Sequence, residues 1–436
     1  MAAERFAIRG YIEGFYGNPW THEQRLEMLR FAASHGANAC FYAPKDDPYH
    51  RKLWRAHYPP EALERLRELK AEADKNGMAL FWCAAPGLSM RYSSEEDREA
   101  LFDKLRSLYE IGVRDFGLLL DDIPGELFYP EDRARFKELV AAHIDLCLSC
   151  RERLKALDGD VRLVVCPTLY HGSGTEDYLV RLGRALPEDV LLFFTGADIC
   201  SKELTSREAQ TFYEATGHKP LYWDNYPVND AEMFKEMHVG PLIGREKDLY
   251  EHAEGIVSNC MEYCESGKFA LATAFDYMAD PAGYDPEASF DRALRELLPD
   301  AAVRDAFILF ADHLRTSCLK DENSRIMGEE LGKASILMET GDSGRALAAL
   351  EDYTARVHDS AEVLKRQKAP LFTELAEWLE KYYRMAEILD DALAVLQTGR
   401  GKDALAAKMK RYNDCATVLT AFCFREYVER VLSFEF

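Results

Sequence analysis

The chain has 436 residues, a length that suggests roughly two to three domains, and its composition, 47% hydrophobic and 30% charged, is that of an ordinary soluble globular protein. Its 76 acidic and 54 basic residues give a formal net charge of −22, so nucleic acid and anionic membranes are poor partners. No apolar run is long enough to cross a bilayer, the N-terminal stretch lacks a secretory signal pattern, and the 11 cysteines follow no disulfide or zinc-ribbon spacing. We therefore expect a cytoplasmic protein.

Short apolar runs alternate with helical patterns over about the first 290 residues. The runs are apolar on both faces, which is typical of buried parallel strands. Eight strands are predicted, at 6–14, 38–44, 78–86, 115–122, 161–168, 190–196, 220–225 and 255–260. Helical patterns lie at 21–36, 61–77, 94–112, 132–157, 175–186, 206–217 and 264–279. This alternation predicts a (β/α)8 TIM barrel, and the alternative, a doubly wound open sheet, is weakened by the absence of a strand–GxGxxG–helix unit.

The composition changes near residue 295. From there on the pattern is mainly helical and contains one proline, Pro370. We therefore predict a catalytic barrel over 1–295 and an all-α helical-bundle domain of about four or five helices over 296–436.

Polar and aromatic residues follow almost every predicted strand. In a parallel barrel the carboxyl ends of all strands meet at one mouth, where such barrels carry their sites. A single polar strand end is readily explained as a turn or cap, but many at one mouth indicate a small polar ligand. Aromatic rings beside carboxylates and amides suit a sugar. The segments concerned are 13–17, 44–47, 86–87, 121–122, 168–170, 195–196, 223–225 and residue Asn259.

The stretch LLLDDIPG places two carboxylates, Asp121 and Asp122, directly after an apolar run. No HExxH motif, Walker loop or GxSxG motif is present, so we expect no metal, no other cofactor and a mechanism built from carboxylates. Glycoside hydrolases usually place two carboxylates on opposite sides of the bond, which neighbouring residues cannot easily do. A consecutive pair fits a scheme in which the substrate's 2-acetamido group is the nucleophile. Asp-Asp before Pro-Gly is equally typical of a turn and helix cap, so this stretch alone leaves both interpretations open.

Seven segments, in this order along the chain, together resemble one family: EGFYGNPW (13–20), YAPKDD (42–47), LLLDDI (118–123), CPTLY (166–170), TGADICSKE (195–203), YWDNYPVND (222–230) and SNCMEY (258–263). The chain is similar to the O-GlcNAcase family, the retaining β-N-acetylglucosaminidases of glycoside hydrolase family 84, over about residues 6–280. The helical region after 300 is compatible with the family's C-terminal helical domain but cannot be matched motif by motif.

The resemblance implies a role for each matching residue. Asp121 would orient the acetamido N–H, and Asp122 would be the general acid and base. Tyr170 would donate to the acetamido oxygen, and Asn225 would position the acetamido group or Asp122. The remaining residues would wall the pocket or bind the sugar hydroxyls: Trp223 and Cys166 form the wall, and Gly14, Lys45, Asp230 and Asn259 take the hydroxyls. A simple ion pair with Asp46 or Asp47 is the alternative for Lys45.

The implied activity is removal of terminal β-linked GlcNAc, with Ser/Thr-linked O-GlcNAc of proteins as the expected substrate and an oxazoline as the intermediate. The expected partner is a glycoprotein, glycopeptide or oligosaccharide that carries β-linked GlcNAc. The alternative is a hexosaminidase that acts on free oligosaccharides such as chitin, cell-wall or hyaluronan fragments. A glycan-binding module on an inactive scaffold is a third possibility, which the presence of Asp121, Asp122 and every implied partner disfavours.

Overall fold

The structure is a computed structural model that describes residues 5–419 and 422–433. The ends of both predicted domains, at residues 1 and 436, lie outside this part of the chain. The described residues contain eight strands: β1 Ile8–Glu13, β2 Ala39–Tyr42, β3 Ala79–Ala84, β4 Asp115–Leu119, β5 Arg162–Cys166, β6 Val190–Phe194, β7 Pro220–Asp224 and β8 Gly255–Asn259.

These strands form one closed barrel in chain order, and every pair is parallel. The ring closes between β1 and β8, where Ile12 lies opposite Asn259. The barrel interior is filled by large apolar side chains, and Phe41 stacks on Phe81 with their ring centroids 4.3 Å apart. The predicted (β/α)8 barrel is confirmed, and each of the eight predicted strands is present.

Most helices of the barrel region match the helical patterns predicted from the sequence, and the short helix at Leu249–His252 was not predicted. Thr21 caps the first helix, because its hydroxyl accepts from Gln24 N while Gln24 Oε1 accepts from Thr21 N. Thr205 and Glu208 form the same reciprocal cap. These helices are α1 His22–Ser34, α2 Pro60–Lys75, α3 Glu95–Glu110, α4 Pro130–Phe136, α5 Leu139–Leu157, α6 Asp177–Ala185, α7 Ser206–Thr216, α8 Leu249–His252 and α9 Cys264–Ala279.

One helix prediction was wrong. The single helix expected over 132–157 is two helices, α4 and α5, separated at Lys137, whose φ is 66°. A non-glycine residue in this left-handed conformation interrupts the helical hydrogen bonds.

The C-terminal region is all α-helical, as predicted, although the described residues hold more helices than the four or five expected. They are α10 Pro286–Leu297, α11 Ala301–Ala311, α12 Arg325–Glu339, α13 Ser343–Lys365, α14 Pro370–Glu374, α15 Ala376–Thr398, α16 Lys402–Asn413 and α17 Phe422–Ser433. Helix α13 packs against α11, α12 and α15. Trp378 and Tyr382 of α15 are buried, so their role is core packing.

The described chain divides into two compact units. The first comprises the described residues of Met1–Asp230, Leu242–Cys264 and Leu271–Ser289. The second comprises those of Ala231–Pro241, Glu265–Ala270 and Phe290–Phe436, and therefore takes in two segments that lie before residue 296. Among the described residues, no helix is both long and apolar enough to span a membrane.

Candidate active site

The end of β4 brings the two neighbouring aspartates into one pocket. Pairing with β5 continues just past the strand, since Leu120 N donates to Cys166 O at 2.8 Å and Thr168 Oγ1 donates to Leu120 O at 2.7 Å. Asp121 follows directly, and the backbone then turns at Asp122, whose φ is 51°. Extended backbone would send consecutive side chains to opposite faces. The left-handed turn instead allows one ammonium group, that of Lys45, to contact both carboxylates.

Asp121 is the buried member of the pair, with 8% of its surface exposed. Lys45 Nζ donates to its Oδ2 at 3.0 Å. Its Oδ1 is buried and accepts no hydrogen bond from the described residues. Burial has the largest single effect and would raise the pKa of the Asp121 carboxyl. The charge and the hydrogen bond of Lys45, together with a backbone hydrogen bond, outweigh burial and hold the pKa below its usual value. Asp121 is thus a buried carboxylate with one free acceptor atom.

Lys45 is the cation of the site. Its side chain is 5% exposed, and its Nζ lies 3.0 Å from Asp121 Oδ2 and 3.6 Å from Asp122 Oδ2. Burial disfavours its charge, yet the Asp121 carboxylate and its neighbours raise the pKa of Lys45 above the ordinary value. The described ion pairs of Lys45 are these two, and Asp47 instead accepts from the hydroxyl groups of two tyrosines. The alternative of a simple pair with Asp46 or Asp47 is therefore wrong.

Asp122 is the accessible member of the pair, with 33% of its side chain exposed. Tyr16 Oη donates to its Oδ2 at 2.8 Å, and Tyr170 Oη donates to its Oδ1 at 3.2 Å. Burial, together with the nearby Asp122 charge, raises the pKa of Tyr170, so this phenol stays a protonated donor. Both oxygens of Asp122 are therefore held, and its side chain still reaches solvent.

An amide network forms the opposite wall, at the ends of β7 and β8. Asn225 Oδ1 accepts from Trp223 Nε1 at 3.0 Å and from Asn259 Nδ2 at 2.9 Å. Asn225 Nδ2 donates to Ile199 O at 2.8 Å, in the loop after β6. Asn259 Oδ1 is buried and accepts no hydrogen bond from the described residues. This wall therefore presents a fixed indole ring and a second buried acceptor.

Gly14 lies against the same wall. A Cβ atom at this position would come within 2.7 Å of Trp223 Cζ2 and 3.1 Å of Asn259 Oδ1. The missing side chain leaves the backbone of β1's end open beside these two groups. Any other residue would place a Cβ atom in this part of the mouth, against Trp223 and Asn259.

The last two predicted residues are also at the mouth. Cys166 ends β5, is buried, and belongs to the apolar cluster that contains Trp223. Asp230 Oδ2 accepts from Tyr16 N at 2.8 Å, and burial raises the pKa of this carboxyl. The structure therefore gathers all ten predicted site residues around the C-terminal ends of β1, β2, β4, β5, β7 and β8.

Sequence reasoning missed two arginines that contact residues of the site or of the strand ends beside it. Arg51 donates to Tyr16 Oη at 2.7 Å and to Asp122 O at 3.2 Å. Arg245 Nη2 lies 2.5 Å from Asp224 Oδ1, and both side chains are almost fully buried. Strand alternation predicts that Asp224 points away from its neighbour Trp223, but no sequence signal identifies the arginine that meets it.

A closed parallel barrel with paired carboxylates, a cation, phenols and an amide–indole wall at its C-terminal mouth is the architecture of a glycosidase site. Comparison with known proteins specifies the class. The family model described as beta-N-acetylglucosaminidase matches residues 9–312, more than half of the chain. The chain belongs to this β-N-acetylglucosaminidase family of glycoside hydrolases.

Individual relatives agree with this assignment. The proteins named Protein O-GlcNAcase of Rattus norvegicus and Mus musculus are each 31% identical over 263 residues, which is 59% of this chain. The chain covers only 28% of the length of these two relatives. A mutant structure of the Thermobaculum terrenum O-GlcNAc hydrolase is 32% identical, with a TM-score of 0.92 over 98% of this chain and 94% of that one. The structure of CpGH84B, at 24% identity and a TM-score of 0.84 over 98% and 77%, shares the fold.

Proposed function

We propose that the chain is a retaining exo-β-N-acetylglucosaminidase that removes terminal β-linked GlcNAc, with O-GlcNAc on Ser/Thr of proteins as its substrate. The observation that carries this proposal is the buried Oδ1 of Asp121, to which none of the described residues donates, beside the accessible carboxyl of Asp122. An unsatisfied buried acceptor is costly unless a ligand supplies the donor. An acetamido N–H is such a donor.

The two aspartates then have separate roles in one reaction. The substrate's acetamido carbonyl oxygen attacks the anomeric carbon while the glycosidic C–O bond breaks, and Asp122 gives its proton to the leaving oxygen. Asp121 accepts the N–H, which becomes more acidic as the amide turns into an oxazoline. Water then attacks the anomeric carbon, Asp122 takes its proton, and the amide is restored. Two inversions at one carbon give overall retention.

The surrounding groups support this scheme. Both carboxylates contact the Lys45 ammonium, so they lie side by side and not across a sugar from each other. Tyr170 Oη donates to Asp122 Oδ1 at 3.2 Å, and its hydrogen would turn to the acetamido oxygen when the substrate binds. Trp223 and Cys166 would pack on the acetyl methyl. Asn225 would hold the acetamido group, and the backbone of Gly14 with the side chains of Lys45, Asp230 and Asn259 would take the ring hydroxyls.

A protein substrate is supported by the loops around the mouth. Leu53 and Leu88 follow β2 and β3, and they are 47% and 55% exposed. Exposed aliphatic side chains suit a polypeptide better than a second sugar, which prefers flat aromatic rings and hydrogen-bonding groups. The relatives named O-GlcNAcase support the same substrate. Rates on an O-GlcNAc peptide and on chitobiose separate this proposal from the oligosaccharide alternative.

The mechanism is tested with aryl β-N-acetylglucosaminides whose acetyl methyl carries zero to three fluorine atoms. We expect turnover to fall with each fluorine, because the carbonyl oxygen becomes a weaker nucleophile. The matched control is the aryl β-glucoside, which lacks the acetamido group and should not react. Equal rates across the fluorinated series, or a trapped sugar ester of an aspartate, would contradict substrate assistance.

The scheme needs only protein side chains and the substrate's own acetamido group. A chelator should therefore leave turnover unchanged. Activity that a chelator abolishes and a divalent cation restores would count against the scheme.

A further inference from the structure

Asp122 has an unusual backbone conformation, which directs its carboxyl group into the pocket. Its φ of 51° is left-handed, which side-chain-bearing residues rarely adopt. An extended residue at this position would point its carboxyl away from the pocket that Asp121 faces. Contacts with other residues must therefore stabilise the positive-φ conformation of Asp122 relative to extended backbone.

Arg51, in the loop after β2, contacts the turn from two directions. Its Nη2 donates to the backbone oxygen of Asp122 at 3.2 Å. Its Nη1 donates to Tyr16 Oη at 2.7 Å, and Tyr16 Oη in turn donates to Asp122 Oδ2 at 2.8 Å. One guanidinium thus reaches the main chain of Asp122 directly and its side chain through a phenol.

The direction of these bonds follows from the groups themselves. A guanidinium only donates, so the Tyr16 oxygen must accept from Arg51, and its single hydrogen is left for the Asp122 carboxylate. The planar fork of an arginine places two donors at fixed separation, which the single ammonium of a lysine cannot reproduce. Arg51 therefore fixes both the peptide plane after Asp122 and the rotation of its carboxyl group.

We propose that Arg51 is a positioning residue for the general acid, which places the Asp122 carboxyl over the leaving oxygen through the turn and through Tyr16. This inference rests on the proposed role of Asp122. In this proposal Arg51 makes no contact with the sugar. A substitution of Arg51 should therefore affect only the protonation of the leaving oxygen by Asp122.

The test is the dependence of rate on the leaving group. We expect Arg51→Met to lose about 10- to 100-fold in kcat/KM on an O-GlcNAc peptide, a part of what general acid catalysis supplies, and less than about threefold on a 2,4-dinitrophenyl glycoside, whose departure needs little protonation. Arg51→Lys should fall between Arg51→Met and the wild type on the peptide. Lys52→Met, an exposed neighbour of like charge, is the matched control and should resemble the wild type on both substrates.

A double-mutant cycle separates positioning from a merely structural role. In an Asp122→Asn background, Arg51→Met should cost little more on the peptide, because the group that it places is no longer an acid. Equal losses on both substrates, or losses that multiply in that background, would overturn the proposal. If Arg51→Met does not fold, Tyr16→Phe removes the phenol link alone, and its loss should again be confined to the peptide.

The same data distinguish this inference from the proposed function. If the wild type turns over neither substrate, or Asp122→Asn shows no dependence on the leaving group, the acid assignment itself is wrong. If Asp122→Asn behaves as proposed while Arg51→Met and Tyr16→Phe lose equally on both substrates, only the role of Arg51 is wrong.

Discussion

The ends of β4 and β7 differ in how they direct the side chains of consecutive residues, although both carry a polar segment that contains aspartate. At β7, regular alternation puts Trp223 and Asn225 on the pocket side, while Asp224 faces away and pairs with buried Arg245. At β4, both neighbours are needed in the pocket, so the backbone leaves extended geometry at Asp122. A strand end that follows alternation gives one residue to the site and the next to the scaffold. A strand end that breaks alternation gives both to the site.

This comparison predicts that substitutions at the β4 end lower the rate, and the largest loss is expected for Asp122→Asn. On a substrate with a poor leaving group, kcat/KM should fall by about 10²–10⁴, the usual contribution of general acid catalysis. On an activated aryl glycoside the loss should be less than about tenfold, because such a leaving group departs without a proton. Steady-state rates on the two substrates measure the difference. Equal losses would mean that Asp122 does not protonate the leaving oxygen.

Asp121→Asn is expected to cost about 10²–10³ in rate, which is typical of lost electrostatic stabilisation in a transition state. An amide cannot match a carboxylate as an acceptor for an N–H that gains positive character. The loss should be of similar size with good and poor leaving groups, which distinguishes this variant from Asp122→Asn. A loss that disappears with the activated glycoside would show that the two aspartates share one role.

Lys45→Met tests how the buried carboxylate stays charged. In the folded enzyme the pKa of Asp121 lies below its ordinary value, so its ionised form, and the stability from its pairing, is lost only as pH falls through that lowered pKa. Without the ammonium, burial dominates and the pKa of Asp121 rises. We expect about a tenfold loss at neutral pH, from the missing charged hydrogen bond, and an acid limb of the pH–rate profile displaced to higher pH. Lys52→Met is the control, and an undisplaced limb in Lys45→Met would contradict this account.

Asp224→Asn should change turnover per folded molecule least, because Asp224 faces away from the pocket. Its effect is on folding: the buried Arg245 loses its carboxylate partner, which typically costs about 3–5 kcal/mol in free energy of unfolding. The matched control is Asp189→Asn, which breaks more exposed pairs with Arg151 and Lys155 and should cost about 0–1 kcal/mol. Denaturant unfolding followed by circular dichroism measures both. A large loss of turnover at full folding would place Asp224 in the site.

The sequence predicts well whatever depends on apolar patterning. All eight strands were found because each is a run of apolar residues that the barrel buries on both faces. All ten predicted site residues lie at the mouth, because parallel strands bring their carboxyl ends together and because seven segments resembled one family. Their roles in the reaction stay predictions until variants are measured.

What the sequence does not reveal is the set of contacts made between distant segments. Arg51 lies in RKLWRAH, which reads as an ordinary basic surface stretch, and its partners Tyr16 and Asp122 lie 35 and 71 positions away. The interruption between α4 and α5 at Lys137 involves no glycine or proline from which the sequence could predict it. Such features are decided by tertiary packing, which local residue preferences do not encode.

The closure of the barrel between β1 and β8 has a consequence for folding. Gly14 meets Trp223 and Asn259, and Tyr16 meets Asp230 across 214 positions of the chain, so the pocket exists only after the first and last strands have joined. Contacts this distant in sequence form late, since the entropy of closing so long a segment must be overcome first. During refolding, the helical circular dichroism signal should therefore recover before hydrolysis of a fluorogenic glycoside begins. The onset of hydrolysis would then report the closure of the barrel between β1 and β8.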